Sequence, residues 1–479
     1  MDNLKNKKYL KYLILSAMLL LSFLNYYYSD LNSNIRQGMN VWEALLSGRF
    51  FQYYSLNAES RDAGEMIHLA NYGMLLNIVY GIWQLPLFVT EKLIGGNILN
   101  YFPARLWGKS IHLLTMYTSA ILIRKIAREM KVPEERAEDA AFLYLSAAPV
   151  ILSALNAAQM DGIGLNFMLL ALYFLMKEEY KRFLVFFIIS VQFKDFASVF
   201  FLPVILYKEK NVFKALGTIA APFVVSFLIR LPFSLLDPSG VGLQKSRMWN
   251  FFDQLTRSRV NLFGGIEIPL VFLVMGFICM YAYYKKTAKD CERRNEWYVY
   301  LLVAAIGAVL TCVYAYSYWV IYIVPFYLLL MLKKEKRLFS AVLLESFASM
   351  SIMVAYLVEA WGPFDSMEGM LADILIDGNL IGADIFSAFL KNPQYFGFWT
   401  LAFAAFFVWL FGFVYYMNPD RKGEKEEKEE MGEPDGGKEN VWSTGDEKSL
   451  KVLFWLRAVG SVAVCNIMLI INFALAILR

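Results

Sequence analysis

The sequence predicts an all-α polytopic membrane protein, with about 13 transmembrane helices and a long external first loop that carries a membrane-surface helix. Three observations support this fold class. Hydrophobic residues make up 58% of the 479 residues, too large a share for an ordinary soluble domain. Apolar runs recur along the whole chain, and short charged breaks separate them. Lysine and arginine concentrate in every second break, as expected when basic loops face the cytoplasm.

The N-terminal apolar run is expected to remain as the first span, because no small-residue cleavage site follows it. The predicted helices are residues 12–28, 107–123, 140–156, 162–176, 183–193, 196–207, 213–235, 266–284, 297–313, 319–332, 338–358, 396–416 and 452–477. The chain then divides into a main transmembrane module at 1–332 with external loop 29–106, further helices at 333–416 with external loop 359–395, a disordered charged cytoplasmic linker at 417–451, and a final helix at 452–479.

One uncharged run, residues 72–90, is left out of these spans although it is long enough to cross a membrane. Counting it as a span would move most of the lysine and arginine that follows to the outer face, against the positive-inside rule. We therefore expect this run to be a helix that lies on the outer membrane surface.

Two shorter runs, 183–193 and 196–207, flank Lys194 and Asp195. Neither run has the roughly 20 residues that one span needs, so the pair predicts a shallow hairpin with both charges at its outer tip. A single bent helix is the alternative. An ionised residue inside a membrane costs on the order of 3 kcal/mol, so Lys194 and Asp195 are expected to have a partner or a function, and an ion pair between the two is the alternative.

Asp30 and Asp161 are the candidate catalytic carboxylates, and both would face the outside. Asp30 follows the first span in LNYYYSD, where an acid at a helix C-terminus would oppose the helix dipole. Asp161 opens the span at 162, so it could be only a helix cap. Gly162 and Gly164 beside it leave room for the close approach of a backbone or substrate.

Cations on the outer side are candidates for binding an anion. The external loop 236–265 carries Arg247, Arg257 and Arg259, which together with Lys194 could bind a lipid phosphate. Attraction to the anionic headgroups of membrane lipids is the alternative. The acidic external loop 359–395 could be a solvated loop, or a site for a cation or an acceptor.

Other chemistry has no signature in the sequence. Phosphate-binding glycine loops, metalloprotease motifs and serine hydrolase motifs are absent. The two histidines and four cysteines do not stand at metal-ligand spacing, so no metal site is predicted and the cysteines are expected to be free thiols. Nothing in the charge pattern indicates nucleic-acid binding.

The order of these features resembles the GT-C fold glycosyltransferases, membrane enzymes that use polyprenyl-phosphate sugars as donors. As in that family, an acid follows the first span, and a long external loop with VWEALLSGRFFQYYSLN and a surface helix comes next. AQMD at 158–161 is similar to the family's Gly-Gln-x-Asp stretch, with Ala158 in place of glycine. QFKDFASVFFLPVIL, RSRVNLFG and YSYWVIYIVPFYLLL are similar to its later motifs, whereas NYG stands where the family has YPP. The resemblance covers roughly residues 12–332.

The resemblance implies a hexosyltransferase, similar to the mannosyltransferases, that works on cell-envelope glycans at the external face of a membrane. A bacterial cytoplasmic membrane is expected, because no eukaryotic retention signal is present, and a reticulum membrane is the alternative. It implies Asp30 as general base, with Asp161 positioning Asp30, the acceptor or a bound divalent cation, the one cofactor it leaves room for. The implied partners are a polyprenyl-phosphate-linked sugar, a glycan, lipid or protein acceptor, and membrane lipids. The implied donor-phosphate residues are Lys194, Arg247, Arg257 and Arg259, and the implied sugar or acceptor residues are Tyr28, Gln159, Asn261, Tyr316 and Tyr318.

Three other classes of protein remain as alternatives. A transporter or lipid-linked glycan flippase would also have many spans and charges within the membrane, although such proteins often contain an internal repeat and none is found here. A polymerase that joins lipid-linked glycan units on the outer face is the second alternative. A scaffold without catalytic activity is the third, and it would leave the placement of Asp30, Asp161 and Lys194 unexplained.

Overall fold

The computed structural model describes residues 2–28, 30–70, 72–243, 253, 255–262, 264–313, 317–334, 338–359, 367–369, 396–421, 447–467, 469, 470 and 474. These residues are mostly helical, and their apolar helices fit the expected all-α membrane protein. The count of about 13 spans stays a prediction. Arg247, Tyr316, most of the loop 359–395 and most of the linker 417–451 lie outside the described residues.

The described helices and strands are numbered here in chain order. The helices are α1 (Asp2–Asn25), α2 (Asp30–Leu46), α3 (Tyr53–Asp62), α4 (Met74–Ile94), α5 (Phe102–Glu129), α6 (Glu134–Leu145), α7 (Ala148–Ile151), α8 (Asp161–Met176), α9 (Tyr180–Phe193), α10 (Phe196–Lys208), α11 (Val212–Leu236), α12 (Leu270–Tyr284), α13 (Cys291–Cys312), α14 (Val324–Lys333), α15 (Leu338–Glu359), α16 (Phe396–Tyr416) and α17 (Glu447–Cys465). The strands are β1 (Tyr26–Tyr28), β2 (Arg259–Leu262), β3 (Ile266–Pro269) and β4 (Met367–Gly369).

Three of the described helices, α4, α11 and α13, are long and apolar enough to cross a membrane by length and composition. Helix α6 and the segment Ala148–Asn156 would add a fourth span if they are counted together, with a bend of 52° between them. Other apolar helices, such as α8, α10 and α14, are shorter. The predicted run 266–284 is a helix only from Leu270, because residues 266–269 form strand β3.

Ion pairs join separate segments that the sequence places on the cytoplasmic side. They connect Lys11 with Asp139, Glu135 with Lys451, Glu178 with Arg294, and Arg293 with Asp420. Because every one of these pairs lies within the predicted inner set, the contacts agree with the way that the positive-inside rule groups the loops.

Helix α4 has both ends beside segments that are predicted to be external. At its beginning, the ring of Tyr72 lies 5.1 Å from Nζ of Lys194. At its end, Glu91 forms a bidentate salt bridge with Arg36 of α2, with contacts of 2.5 and 3.0 Å. This arrangement favours the expected surface helix over a crossing helix. The length and composition of α4 would also allow it to cross, so its position relative to the membrane stays a prediction.

The prediction that the first helix extends to residue 28 is wrong. Helix α1 ends at Asn25, and the three tyrosines that follow form strand β1, which pairs antiparallel with β4 so that Tyr27 lies opposite Glu368. Tyrosine favours strands, and pairing with a distant segment overrides the helical pattern of the apolar run. Strand β1 therefore separates α1 from Asp30.

The helices after residue 332 pack into the same core as the preceding ones. Asn466, just after α17, accepts a hydrogen bond from Asn25 at the end of α1 at 2.8 Å. In the interior, Arg457 of α17 binds Glu345 of α15 through two hydrogen bonds of 2.7 and 2.9 Å, and it also donates to the carbonyl oxygen of Leu143. The last helix is therefore fixed to the part of the chain that precedes Asp30.

Helices α9 and α10 form the hairpin that the sequence predicts, so the alternative of one bent helix is wrong. The ring centroid of Phe201 in α10 lies 5.4 Å from that of Phe187 and 6.0 Å from that of Phe183, both in α9. Lys194 at the tip has extended backbone angles, which end α9. The hairpin places Lys194 at the end of the bundle where α8 begins.

Candidate functional site

The first part of the site is a buried ion pair between Asp161 and Lys194. Helices α8 and α9 pack along each other, as shown by the stacked rings of Phe167 and Phe193 at 4.9 Å. This packing brings the first residue of α8 to the residue that follows α9, and Nζ of Lys194 lies 3.1 Å from Oδ1 of Asp161. The Asp161 side chain has no exposed surface, and 13% of the Lys194 side chain is exposed. Lys194 therefore has the partner that its position requires.

The same oxygen of Asp161 accepts a second hydrogen bond, because the hydroxyl of Tyr322 donates to it at 2.9 Å. The other oxygen, Oδ2, is buried and has no hydrogen-bond partner among the described residues. The alternative that Asp161 is only a helix cap is wrong, since Met160 occupies the cap position and no side chain forms a capping hydrogen bond there. Asp161 instead carries one carboxylate oxygen that is free to accept.

Gly164 explains how the partners approach so closely. A methyl group at Gly164 would lie 3.3 Å from the Tyr322 hydroxyl oxygen and 3.6 Å from Cβ of Lys194. The first separation is shorter than most real contacts and the second is an ordinary van der Waals contact. A side chain larger than a methyl group would therefore push Tyr322 or Lys194 away from Asp161. The room that the sequence predicts beside Asp161 is filled by these two side chains.

The second part of the site is centred on Asp30, the first residue of α2. The expectation that Asp30 ends a helix and opposes its dipole is wrong, because strand β1 intervenes and an acid at a helix N-terminus is favourable. Its two oxygens have different partners. Nε2 of His68 lies 3.1 Å from Oδ1, and the side-chain amide of Gln159 donates to Oδ2 at 3.1 Å. About a quarter of the Asp30 side chain, 27%, is exposed.

Gln159 joins the two parts, since it lies two residues before Asp161 and is itself buried. The backbone just before Gln159 is irregular, and it directs the Gln159 side chain towards Asp30. Residues 152–156 form a π-helical turn, a feature that is frequent at functional sites. Ala158 follows with a φ of 48°, in the left-handed region that costs a residue with a side chain about 1–2 kcal/mol. Glycine adopts this conformation without that cost, so a glycine would be less strained than Ala158 at this position.

Aromatic rings surround the ammonium group of Lys194. The ring of Tyr72 lies 5.1 Å from Nζ and that of Trp319 lies 5.9 Å away, both within the range of cation–π attraction. Trp319 belongs to a short 3₁₀ segment, Ser317–Tyr322, that also holds the predicted sugar-binding residue Tyr318, which is buried. The late aromatic motif therefore lies beside Lys194.

The other predicted phosphate-binding residues are placed differently. Arg257 and Arg259 are exposed, and they bind nearby acids, with 3.0 Å from Arg257 to Asp253 and 3.1 Å from Arg259 to Glu267. Asn261 is exposed and lies on β2, where it is paired with Glu267 of β3. No contact in the described residues joins Arg257, Arg259 or Asn261 to either carboxylate, so their roles stay predictions.

Two members of the site escaped the sequence reasoning, His68 and Tyr322. His68 lies in the irregular segment between α3 and α4 and belongs to no motif. Tyr322 lies in an aromatic segment of many tyrosines, where nothing singles it out. The predicted residue Tyr28 lies half-buried on β1, opposite Met367. A cation at the site has no clear ligand set, because the described residues contain no group of three or more His, Cys, Asp or Glu that could hold a metal ion.

The comparisons with known proteins are negative: no family model matches this chain, and no curated protein matches it.

Proposed function

We propose that this protein is an integral membrane glycosyltransferase that moves a sugar from a polyprenyl-phosphate donor to an acceptor hydroxyl at the external membrane face. The observation that supports this proposal most is the hydrogen bond from Gln159 to Asp30. It connects a partly exposed carboxylate with a buried carboxylate–lysine pair at the same end of the helix bundle. An exposed acid and a buried cation at one site are what transfer from a lipid phosphate requires.

The reaction needs two charges in different places. The acceptor hydroxyl loses a proton as its oxygen bonds to the sugar, so a base must be near the water side. The bond from the sugar to the phosphate oxygen breaks at the same time, and the departing phosphate gains negative charge that a cation stabilises. We assign the first role to Asp30, which is partly exposed, and the second to Lys194 at the tip of the hairpin.

The donor phosphate must share Lys194 with Asp161. Lys194 has three N–H donors, so it can keep its bond to Asp161 and still donate to a phosphate oxygen. The ion pair with Asp161 holds the ammonium group of Lys194 in place, and this is in addition to the role implied for Asp161 of positioning Asp30, the acceptor or a bound cation. Arg257, Arg259 and Arg247 are the further cations proposed to bind the phosphate, and the partly exposed ring of Tyr72 is suitable for stacking on the sugar.

The test is direct. Purified protein in lipid nanodiscs is mixed with polyprenyl-phosphate sugars labelled in the sugar, with and without extracts that contain acceptor glycans, lipids or proteins. The proposal expects that label leaves the lipid and appears on an acceptor. A transporter or flippase would move the intact donor across a vesicle membrane without loss of sugar. Movement of intact donor with no transfer would refute the proposed function.

A further inference from the structure

His68 has an exposed side chain, but its backbone N–H and carbonyl groups both form hydrogen bonds with α2. The Oγ of Ser33 accepts hydrogen bonds from the backbone N–H groups of Ile67 and His68, at 3.1 and 3.2 Å. The side-chain amide of Gln37 donates to the carbonyl oxygen of His68 at 3.0 Å. Ser33 and Gln37 both belong to α2, which begins with Asp30. One helix therefore fixes the positions of both Asp30 and His68.

The neighbouring residues add to this anchoring. Met66 and Ala70, on either side of His68, are 5% and 4% exposed, so the segment is packed against the protein although it has no regular structure. The His68 side chain is 49% exposed. Ordering the backbone costs about 1–2 kcal/mol per residue, and the hydrogen bonds with Ser33 and Gln37 offset that cost at His68.

The contact with Asp30 determines which ring nitrogen can act. Nε2 is the ring nitrogen that lies near Asp30, 3.1 Å from Oδ1, and a carboxylate only accepts hydrogen bonds, so this contact favours the neutral tautomer with its proton on Nε2. In the neutral ring the lone pair is then on Nδ1. Among the described residues no group is bonded to Nδ1, which leaves it available to an acceptor hydroxyl that comes from the water side.

We propose that His68 is the group that takes the proton from the acceptor, and that Asp30 acts through it. The step is balanced as follows: the hydroxyl O–H bond breaks and its proton goes to Nδ1, while the oxygen forms a bond to the sugar and the phosphate leaves with the electron pair of the broken sugar–phosphate bond. Asp30 stabilises the imidazolium that forms, as the acid does in other acid–histidine pairs. The imidazolium then releases the Nδ1 proton to water, which restores the starting tautomer.

This inference rests on the proposed glycosyl transfer and names its base. It is tested with His68→Ala and His68→Gln in the full-length protein, with transfer of labelled sugar measured at saturating donor. Gln can still donate a hydrogen bond to Asp30 but cannot take a proton. We expect turnover to fall by about 10² or more in both variants, and free imidazole in the buffer to restore part of the activity of His68→Ala but not of His68→Gln.

The control is Glu65→Gln in the same loop, which should leave turnover unchanged. Thermal melting in detergent and donor binding confirm that each variant is folded. Near-normal turnover in either His68 variant, or a loss in His68→Ala that imidazole does not restore, would overturn the inference. If the His68 variants behave in this way and wild-type protein still transfers sugar, the inference about His68 fails and the proposed function stands. If wild-type protein transfers no sugar, the proposed function itself fails.

Discussion

Gln159 donates a hydrogen bond to Asp30 across 3.1 Å, from the irregular segment that precedes α8. This bond connects α2 with the segment that leads to the buried pair of Asp161 and Lys194. Since Asp30 is partly exposed, water can replace the amide when Gln159 is removed. The bond is therefore expected to matter more for the position of Asp30 than for the stability of the fold.

Gln159→Met tests this expectation. Loss of one hydrogen bond to a partly exposed group should lower the free energy of unfolding by about 1 kcal/mol. Turnover should fall by roughly tenfold, because the Asp30 carboxylate is no longer fixed on one side. The measurement is sugar transfer alongside thermal melting. A variant with normal turnover would show that the Gln159–Asp30 contact has no role in the reaction.

Lys194→Ala should destabilise the protein as well as weaken donor binding. Removing the lysine leaves the buried Asp161 without its charged partner, and breaking such a pair typically costs 3–5 kcal/mol. The double variant Lys194→Met with Asp161→Leu removes both charges and should melt closer to wild type than Lys194→Ala does. Donor affinity should be low in both variants. Unchanged donor affinity in the double variant would exclude Lys194 from phosphate binding.

The buried pair of Arg457 and Glu345 allows the same design far from the site. Both side chains are almost fully buried, and Tyr327 also donates to Glu345 at 2.6 Å. Glu345→Ala should destabilise by about 3–5 kcal/mol, since it leaves a buried guanidinium unpaired, and the double variant with Arg457→Met should recover much of that loss. An equally low melting temperature for the single and double variants would contradict the charge argument.

The topology is tested by labelling cysteines from outside intact cells. A cysteine at Ser239, which is exposed and predicted to be external, should react with a membrane-impermeant reagent in a Cys291→Ser background. Native Cys291 is also exposed but is predicted to be cytoplasmic, so it should react only after the membrane is opened. Reaction of Cys291 in intact cells would reverse the assignment of the two faces.

Hydrophobic patterning predicted the apolar helices, since burial of apolar side chains dominates them, but it did not predict α2 and α3, which lie within the predicted external loop 29–106. It placed α8 within one residue and α16 at both ends, and it predicted the hairpin at Lys194. The end of the first helix could not be predicted, because β1 depends on pairing with β4, more than 300 residues away in the sequence.

The carboxylates Asp30 and Asp161 and the cation Lys194 could be singled out from the sequence, because an ionisable residue expected at or within a membrane segment usually has a partner or a function. Their partners could not. His68 reaches Asp30 through an irregular segment held by Ser33 and Gln37, and Tyr322 reaches Asp161 only because α8 and α9 pack closely at Gly164. Such contacts depend on packing between distant segments rather than on periodicity.

The central claim is that Asp30 drives the removal of a proton from the acceptor, directly or through His68, and Asp30→Asn tests it most directly. Asparagine has nearly the same shape, so the variant should fold and bind the lipid donor as wild type does. It cannot act as a base, and it does not stabilise an imidazolium. Turnover of labelled sugar at saturating donor should therefore fall by about 10² or more. Near-normal turnover by Asp30→Asn would contradict the account.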